Sequence, residues 1–213
     1  MGCTRALERV AAAVGILQEA PTRFEPAADV PNGGVLLALP ALLANGLLRH
    51  TKECFSLPKG FYGLVQIFLL LGFMALARIK SIERLRFCPP GEWGNLLGLD
   101  RIPEVRTLRE KVKRIAETGE VGQWCGRLSK EWLESDPEAA GTLYIDGHIR
   151  AYHGSQTKLP RRYVARQRLC LRGMTDYRVS DREGRPFFVL STPFTPGLLG
   201  GCPRTDDLLR KAG

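Results

Sequence analysis

The sequence predicts an α+β fold, in which a helical N-terminal region precedes a small antiparallel sheet. Helical spacing of apolar residues recurs as far as residue 134. Short runs rich in β-branched and aromatic residues follow from residue 143 onward. A Ser-Asp-Pro-Glu sequence at 135–138 separates the two patterns and is typical of a loop. With 213 residues, of which 44% are hydrophobic and 25% charged, the chain has enough apolar residues for a core.

The first predicted helices are short and are separated by loop signals. Residues 4–19 mix apolar and charged residues at helical spacing, which predicts a short helix. Prolines and an Asn-Gly-Gly sequence at 20–34 predict a loop. Residues 35–48 are apolar but contain Pro40 and Gly46, so we expect one kinked helix or two short ones.

The most apolar segment is 61–77, which carries no charged residue. Its length is at the lower limit for a membrane span. Because Gly63, Gln66 and Gly72 interrupt it and both flanks are basic, we interpret it as a buried core helix, with a membrane helix as the alternative.

Four more helical segments precede the sheet. Residues 78–87 keep a helical pattern until a Cys-Pro-Pro-Gly sequence stops it, and 92–99 form a short helix. A clear amphipathic helix begins at 104 and ends at Gly119, and the last helix spans 121–134. The short helix, the turn and the basic helix resemble a helix-turn-helix. The bases of its second helix include Arg106, Arg109 and Lys113. They either contact DNA or form a solvated charged face, and the sequence leaves both alternatives open.

The predicted sheet begins with the apolar residues 143–145, which indicate a buried strand. Asp146 follows at the end of this strand, where it either enters a functional site or caps a turn. Gly147 would allow a close backbone approach. Further strands are predicted at 164–171, 177–179 and 187–190, with a turn at Gly173 and a hairpin turn at 181–184.

The net charge of +9 is concentrated after Asp146. Between residues 147 and 178 the sole acid is Asp176, whereas the bases are Arg150, Lys158, Arg161, Arg162, Arg166, Arg168, Arg172 and Arg178. Such a field suits a polyanion, and nucleic acid is the obvious candidate. The alternatives are a solvated basic face and a patch that binds a membrane surface.

Six cysteines stand at positions 3, 54, 88, 125, 170 and 202, and no pair has the spacing of a zinc or redox motif. This scatter predicts a reducing, cytoplasmic location.

Three segments together resemble bacterial insertion-sequence DDE transposases. They are LLLGFMALARIKSIERLRFCPPGEWGNLLGLDRIPEVRTLREK at 69–111, YIDGHIRAYHG at 144–154, and RRYVARQRLCLRGMTDYRVSDREGRPFFVLSTP at 161–193. The resemblance covers about residues 33–193 and is most specific in IPEVRTLREK and YIDGH.

The resemblance implies a ribonuclease H-like catalytic domain whose first strand ends in the first acid of a DDE triad, Asp146. The next strands, at 164–171 and 187–190, would pair antiparallel with it. Mg²⁺ is the implied cofactor, with Asp146 as a ligand. The second and third acids of the family would lie beyond residue 193, so we expect a truncated chain that is catalytically incomplete as it stands. Enzymatic activity of the chain itself is left open.

The resemblance also sets the expected domains and partners. An N-terminal helix and linker would occupy 1–34, a helical DNA-binding region 35–140, and the start of the catalytic domain 141–213. DNA is the implied partner, and no association with a membrane is expected. A homo-oligomer is compatible with the resemblance. The expected DNA contacts are Arg106, Arg109, Lys113, Arg150, Lys158, Arg161 and Arg162.

Two other functions compete with this interpretation. One is a metal-dependent hydrolase that uses Asp146, His148 and His153, because residues i and i+2 of a strand share a face. The other is a small membrane protein built on 35–48 and 61–77.

Overall fold

The computed structural model describes residues 5–24, 26, 28, 30–117, 120–138, 141–155, 157–164 and 167–192. The chain divides into two compact units, Met1–Val121 and Gly122–Gly213. The predicted α+β class is confirmed, because the elements are helices followed by an antiparallel sheet. The finer division at residues 34 and 140 stays a prediction.

The N-terminal unit is helical. Its α-helices are α1 (Ala6–Ala13), α2 (Leu39–Ala44), α3 (Thr51–Cys54), α4 (Leu64–Leu76), α5 (Pro90–Asn95) and α6 (Val105–Glu117). Two 3₁₀ segments, Gly33–Ala38 and Ile82–Phe87, lie between them.

Helix α4 forms the centre of this unit, as its sequence predicts. Ile67, Leu70 and Phe73 are fully buried. The buried amide of Gln66 is satisfied, since its Oε1 accepts from the Gly63 N–H at 3.0 Å and its Nε2 donates to the Ala20 carbonyl. Among the described residues, no helix combines the length and apolarity that a transmembrane span requires.

The prediction of a helix over 78–87 is largely wrong. Arg78 adopts a left-handed backbone conformation, with φ of 55°, which ends the helical path after α4. Helical structure resumes only as the 3₁₀ segment Ile82–Phe87. The apolar spacing of this stretch could not reveal the interruption, because arginine carries no signal for positive φ.

Helix α5 is followed by a tight reversal of the chain. The N–H groups of Leu97 and Leu99 both donate to the Gly94 carbonyl, at 2.8 and 3.0 Å. Gly98 has φ of 64°, a conformation that favours glycine. The returning backbone of Arg101 passes so close to Gly94 that a Cβ there would lie 2.3 Å from the Arg101 Cα.

The C-terminal unit contains a sheet of four strands, β1 (Tyr144–Ala151), β2 (Arg161–Val164), β3 (Leu169–Ser180) and β4 (Pro186–Thr192). β3 is the central strand. It pairs antiparallel with β1 along 173–180, with β4 along 175–180 and with β2 along 169–172. β1 and β4 therefore flank β3 on opposite sides.

Several predictions for the sheet are wrong. Segment 164–171 is not one strand, because a turn with the Gln167 N–H donating to the Val164 carbonyl at 3.0 Å lies within it. The partner of 144–146 is 178–180, rather than 164–171, and 187–190 pairs with β3, rather than with β1. Gly173 lies inside β3, where a Cβ would meet the Arg150 carbonyl oxygen at 2.5 Å.

The first strand also differs from its prediction. Tyr144 and Ile145 are 55% and 44% exposed, so the apolar run is not buried. Asp146 is the third residue of β1, not its last. β1 pairs with β3 alone, and β3 is the central strand. The expected close approach at Gly147 is confirmed, because a Cβ there would meet the Tyr177 ring at 3.3 Å.

Helix α7 (Val121–Ser135) packs against the start of β4. Trp132 and Phe187 form an edge-on ring pair with centroids 6.4 Å apart, and the Ser129 hydroxyl donates to the Phe187 carbonyl. Leu128 and Phe187 are buried. These contacts give the sheet an apolar core on the side of α7.

The predicted hairpin turn between β3 and β4 is confirmed. The buried Asp181 carboxylate accepts from the N–H groups of Glu183 and Arg185, at 2.9 and 2.8 Å, and from the Arg185 side chain at 2.5 Å. Burial acts to raise the pKa of Asp181, but these bonds outweigh it, so its pKa lies below the ordinary value.

Candidate nucleic-acid interface

One face of the sheet carries all the charged residues of the four strands except Arg162. Because side chains alternate along a strand, the strand register places a defined set on this face. We call it the polar face; its residues are Tyr144, Asp146, His148, Arg150, Arg161, Tyr163, Cys170, Arg172, Met174, Asp176, Arg178, Ser180, Val189 and Ser191.

Asp146 lies on the polar face and is exposed. Its direct cross-strand partner is Arg178, and facing residues of opposite charge stabilise a strand pair. This arrangement gives Asp146 a structural use in addition to the catalytic one that the resemblance implies.

The second acid of the polar face, Asp176, is 7% exposed. Its Oδ1 accepts from the Ser191 hydroxyl at 2.6 Å and from the Arg150 guanidinium at 3.3 Å. A buried carboxylate is tolerated because charged and hydroxyl donors satisfy it. Asp176 is the single acid between residues 147 and 178, and this isolation is the sequence signal that could have indicated its role.

The structure separates the histidines of the hydrolase hypothesis. His148 shares the polar face with Asp146 and lies opposite Asp176, whereas His153 follows the end of β1. Within the described ranges, no three His, Cys, Asp or Glu side chains are grouped as a metal site would require.

Arg161 and Arg172 face each other across the β2–β3 pair, and both are exposed. Lys158 precedes this pair along the chain and is exposed, while Arg162 lies half-buried on the other face of β2. For Lys158, Arg161, Arg172 and Arg178, the described part of the chain offers no acid within ion-pair distance. None of these four charges is therefore neutralised by a direct ion pair within the described residues, although Arg178 faces Asp146 across the strands.

The basic residues of α6 that were expected to contact DNA each lie beside an acid. Arg106 pairs with Glu110 at 3.1 Å, Lys113 with Glu117 at 3.6 Å, and Arg109 with Glu83. The Arg109 side chain lowers the pKa of Glu83, and burial lowers the pKa of Lys111. Although these side chains are exposed, their acidic partners reduce the local positive field.

The cysteines that the structure describes, Cys54, Cys88, Cys125 and Cys170, are all free thiols. Burial raises the pKa of Cys88 and Cys125, which reduces their thiolate fraction at neutral pH.

Comparison with known proteins gives one informative result. No curated protein and no solved structure matches the chain. A family model with the description "Transposase protein" matches residues 1–208. Since this match covers nearly the whole sequence, the chain belongs to that transposase family.

Proposed function

We propose that the chain binds DNA for transposition and that the polar face of the sheet makes the principal contacts. The observation that carries this proposal is a group of exposed bases, Arg161, Arg172 and Arg178 on this face and Lys158 just before β2, none of which has an acid within ion-pair distance among the described residues. Arginine donates to phosphate oxygens in a fork geometry. Contacts of this kind bind the DNA backbone without reading sequence.

Helix α6 contributes less in this proposal. A phosphate approaching Arg106 or Lys113 must compete with Glu110 or Glu117, which already neutralise these bases. The unpaired bases of the polar face need no such exchange.

A pair of double variants tests the location of the contacts. We expect Arg161→Gln with Arg172→Gln to weaken duplex binding about tenfold or more, and to reduce the slope of log K against log salt by about 1.8, the value for two lost phosphate contacts. Arg106→Gln with Lys113→Gln removes the same charge from α6 and should cost clearly less. Fluorescence anisotropy with a labelled duplex of random sequence measures both; equal losses would contradict the proposal.

Asp146 is, in the same proposal, the first acid of a DDE centre in a ribonuclease H-like sheet. Two features support this assignment. The carboxylate is exposed on β1, and β1, β3 and β4 form an antiparallel sheet with β3 in the middle.

The surroundings of Asp146 do not fit a pair of Mg²⁺ ions held by the polar face alone. Metal-assisted phosphoryl transfer needs several carboxylates that converge on the ions. The carboxylate of Asp176 is already engaged by Arg150 and Ser191, and Arg178 lies opposite Asp146. These arginines disfavour a divalent cation, so a metal-dependent reaction would need carboxylates in addition to those of this face.

We therefore expect the purified chain of 213 residues not to nick DNA. Supercoiled plasmid incubated with the chain and Mg²⁺ or Mn²⁺ should stay supercoiled to the same extent as with Asp146→Ala. The readout is agarose gel electrophoresis over a time course. Metal-dependent nicking by the parent that disappears in Asp146→Ala would show that the chain supplies the remaining ligands itself.

A further inference from the structure

Arg161 and Arg172 form an unusual cross-strand pair. The Gly173 N–H donates to the Pro160 carbonyl at 3.1 Å, so the neighbouring pair, Arg161–Arg172, is a non-hydrogen-bonded one. In such a pair the Cα atoms are about 4.5 Å apart and the side chains come closest. Like charges directly opposite each other destabilise a sheet. An anion held between the two guanidinium groups would remove this repulsion.

A phosphate diester is the anion that fits this pair. Each guanidinium presents a planar set of N–H donors, and two of them can share the oxygens of one phosphate. Both side chains stand on the exposed face of the sheet, so a nucleic acid backbone can reach them.

Tyr163 lies two residues after Arg161 on the same face of β2 and is 59% exposed. Residues i and i+2 of a strand are separated by about 7 Å, so the ring lies within one nucleotide of the arginine pair. Its cross-strand neighbour is the exposed Cys170, a small side chain that leaves the ring accessible. An accessible aromatic ring beside a cationic pair is the arrangement that stacks an unpaired base.

A base in a duplex cannot use this ring, because both of its faces are stacked on neighbouring base pairs. An unpaired nucleotide can place its phosphate between the arginines and its base on the tyrosine at the same time. Stacking on an aromatic side chain tolerates every base, so this contact adds affinity for single strands without adding sequence preference.

We propose that Arg161, Arg172 and Tyr163 form a binding site for an unpaired nucleotide of single-stranded DNA. The proposal rests on the proposed function, in which the polar face binds DNA, and adds the kind of DNA that this end of the face takes. The arginine pair holds the phosphate and Tyr163 stacks the base.

The test compares one labelled oligonucleotide as a single strand and as a duplex of equal length, with the full chain at fixed low salt. We expect Tyr163→Ala to weaken single-strand binding about tenfold and duplex binding less than twofold. Tyr163→Phe keeps the ring and should bind both forms like the parent. Tyr144→Ala is the matched control, since Tyr144 is a similarly exposed tyrosine of the polar face that lies opposite Ser180, far along β3 from the arginine pair.

The outcomes separate the two proposals. Salt-dependent duplex binding by the parent together with unchanged single-strand binding by Tyr163→Ala overturns the nucleotide site and leaves the proposed function standing. Equal losses in both DNA forms, or an equal loss in Tyr144→Ala, also overturn the site. If the parent binds neither form, the proposed function fails and the nucleotide site fails with it. Circular dichroism spectra that match the parent confirm that each variant is folded.

Discussion

Raising the salt concentration from about 50 to about 200 mM is expected to weaken duplex binding by this chain roughly 150-fold. Four exposed bases of the C-terminal unit, Lys158, Arg161, Arg172 and Arg178, have no acid within ion-pair distance among the described residues. If each neutralises one phosphate, log K falls by about 0.9 per contact for each tenfold rise in salt. Four contacts and a fourfold rise then give a loss of about 2.2 decades.

The measurement is a series of anisotropy titrations at four or more salt concentrations, with the slope of log K as the result. Arg150→Gln is an informative variant, because the Arg150 guanidinium already pairs with Asp176 at 3.3 Å. This substitution should therefore reduce the slope less than Arg172→Gln does. Two duplexes of unrelated sequence serve as the specificity control and should give the same slope. A slope near zero would mean that phosphates do not carry the binding, and the proposed function would be lost.

The sequence predicted the elements whose signals are local. Helix α4 follows from an uncharged apolar run, and α6 follows from the apolar stripe that contains Leu108 and Ile115, both buried in the structure. The hairpin turn at 181–184 was also predicted, since Gly184 supplies the positive φ of 82° that the turn needs.

The pairing of the strands could not be predicted in the same way. A period of two fixes which residues share a face of a strand but not which residues of another strand lie opposite. The turn after Val164 uses Arg168 at φ of 52°, a conformation for which the residue type gives no warning. As a result, the sequence predicts one strand over 164–171 and a partner for Asp146 in that segment, and both predictions are wrong.

Because strand register could not be predicted, part of the candidate site could not be predicted either. Asp176 and Arg150 are far apart in sequence, and only the register of β1 with β3 brings them onto one face. The facing pair Arg161 and Arg172 likewise depends on the register of β2. Composition indicated a polyanion partner, but the arrangement of the bases required the sheet.

Replacing Gly94 with alanine should destabilise the N-terminal unit by about 3 kcal/mol, at the upper end of the usual cost of overpacking. The added Cβ would lie 2.3, 2.4 and 2.8 Å from the Cα, N and C atoms of Arg101. These are backbone atoms, so no side-chain rotation relieves the contact. The backbone cannot easily move either, because the Ile102 N–H donates to the Pro90 carbonyl at 3.0 Å and Leu96, Leu97 and Leu99 are buried.

Gly91 provides the matched control within the same short helix. A Cβ there would meet the Asp100 carbonyl oxygen at 3.5 Å, an ordinary van der Waals contact, and alanine favours helix over glycine by up to about 1 kcal/mol. We expect Gly91→Ala to unfold at the same urea concentration as the parent or at a slightly higher one, and Gly94→Ala at a clearly lower one. The fluorescence of the buried Trp93, which lies in this helix, follows the transition; Phe substitutions at Trp124 and Trp132 in all three proteins remove the signal of the other two tryptophans. Equal midpoints for Gly94→Ala and Gly91→Ala would show that the Arg101 backbone does not pass against Gly94, and the reversal after α5 would have to follow another path.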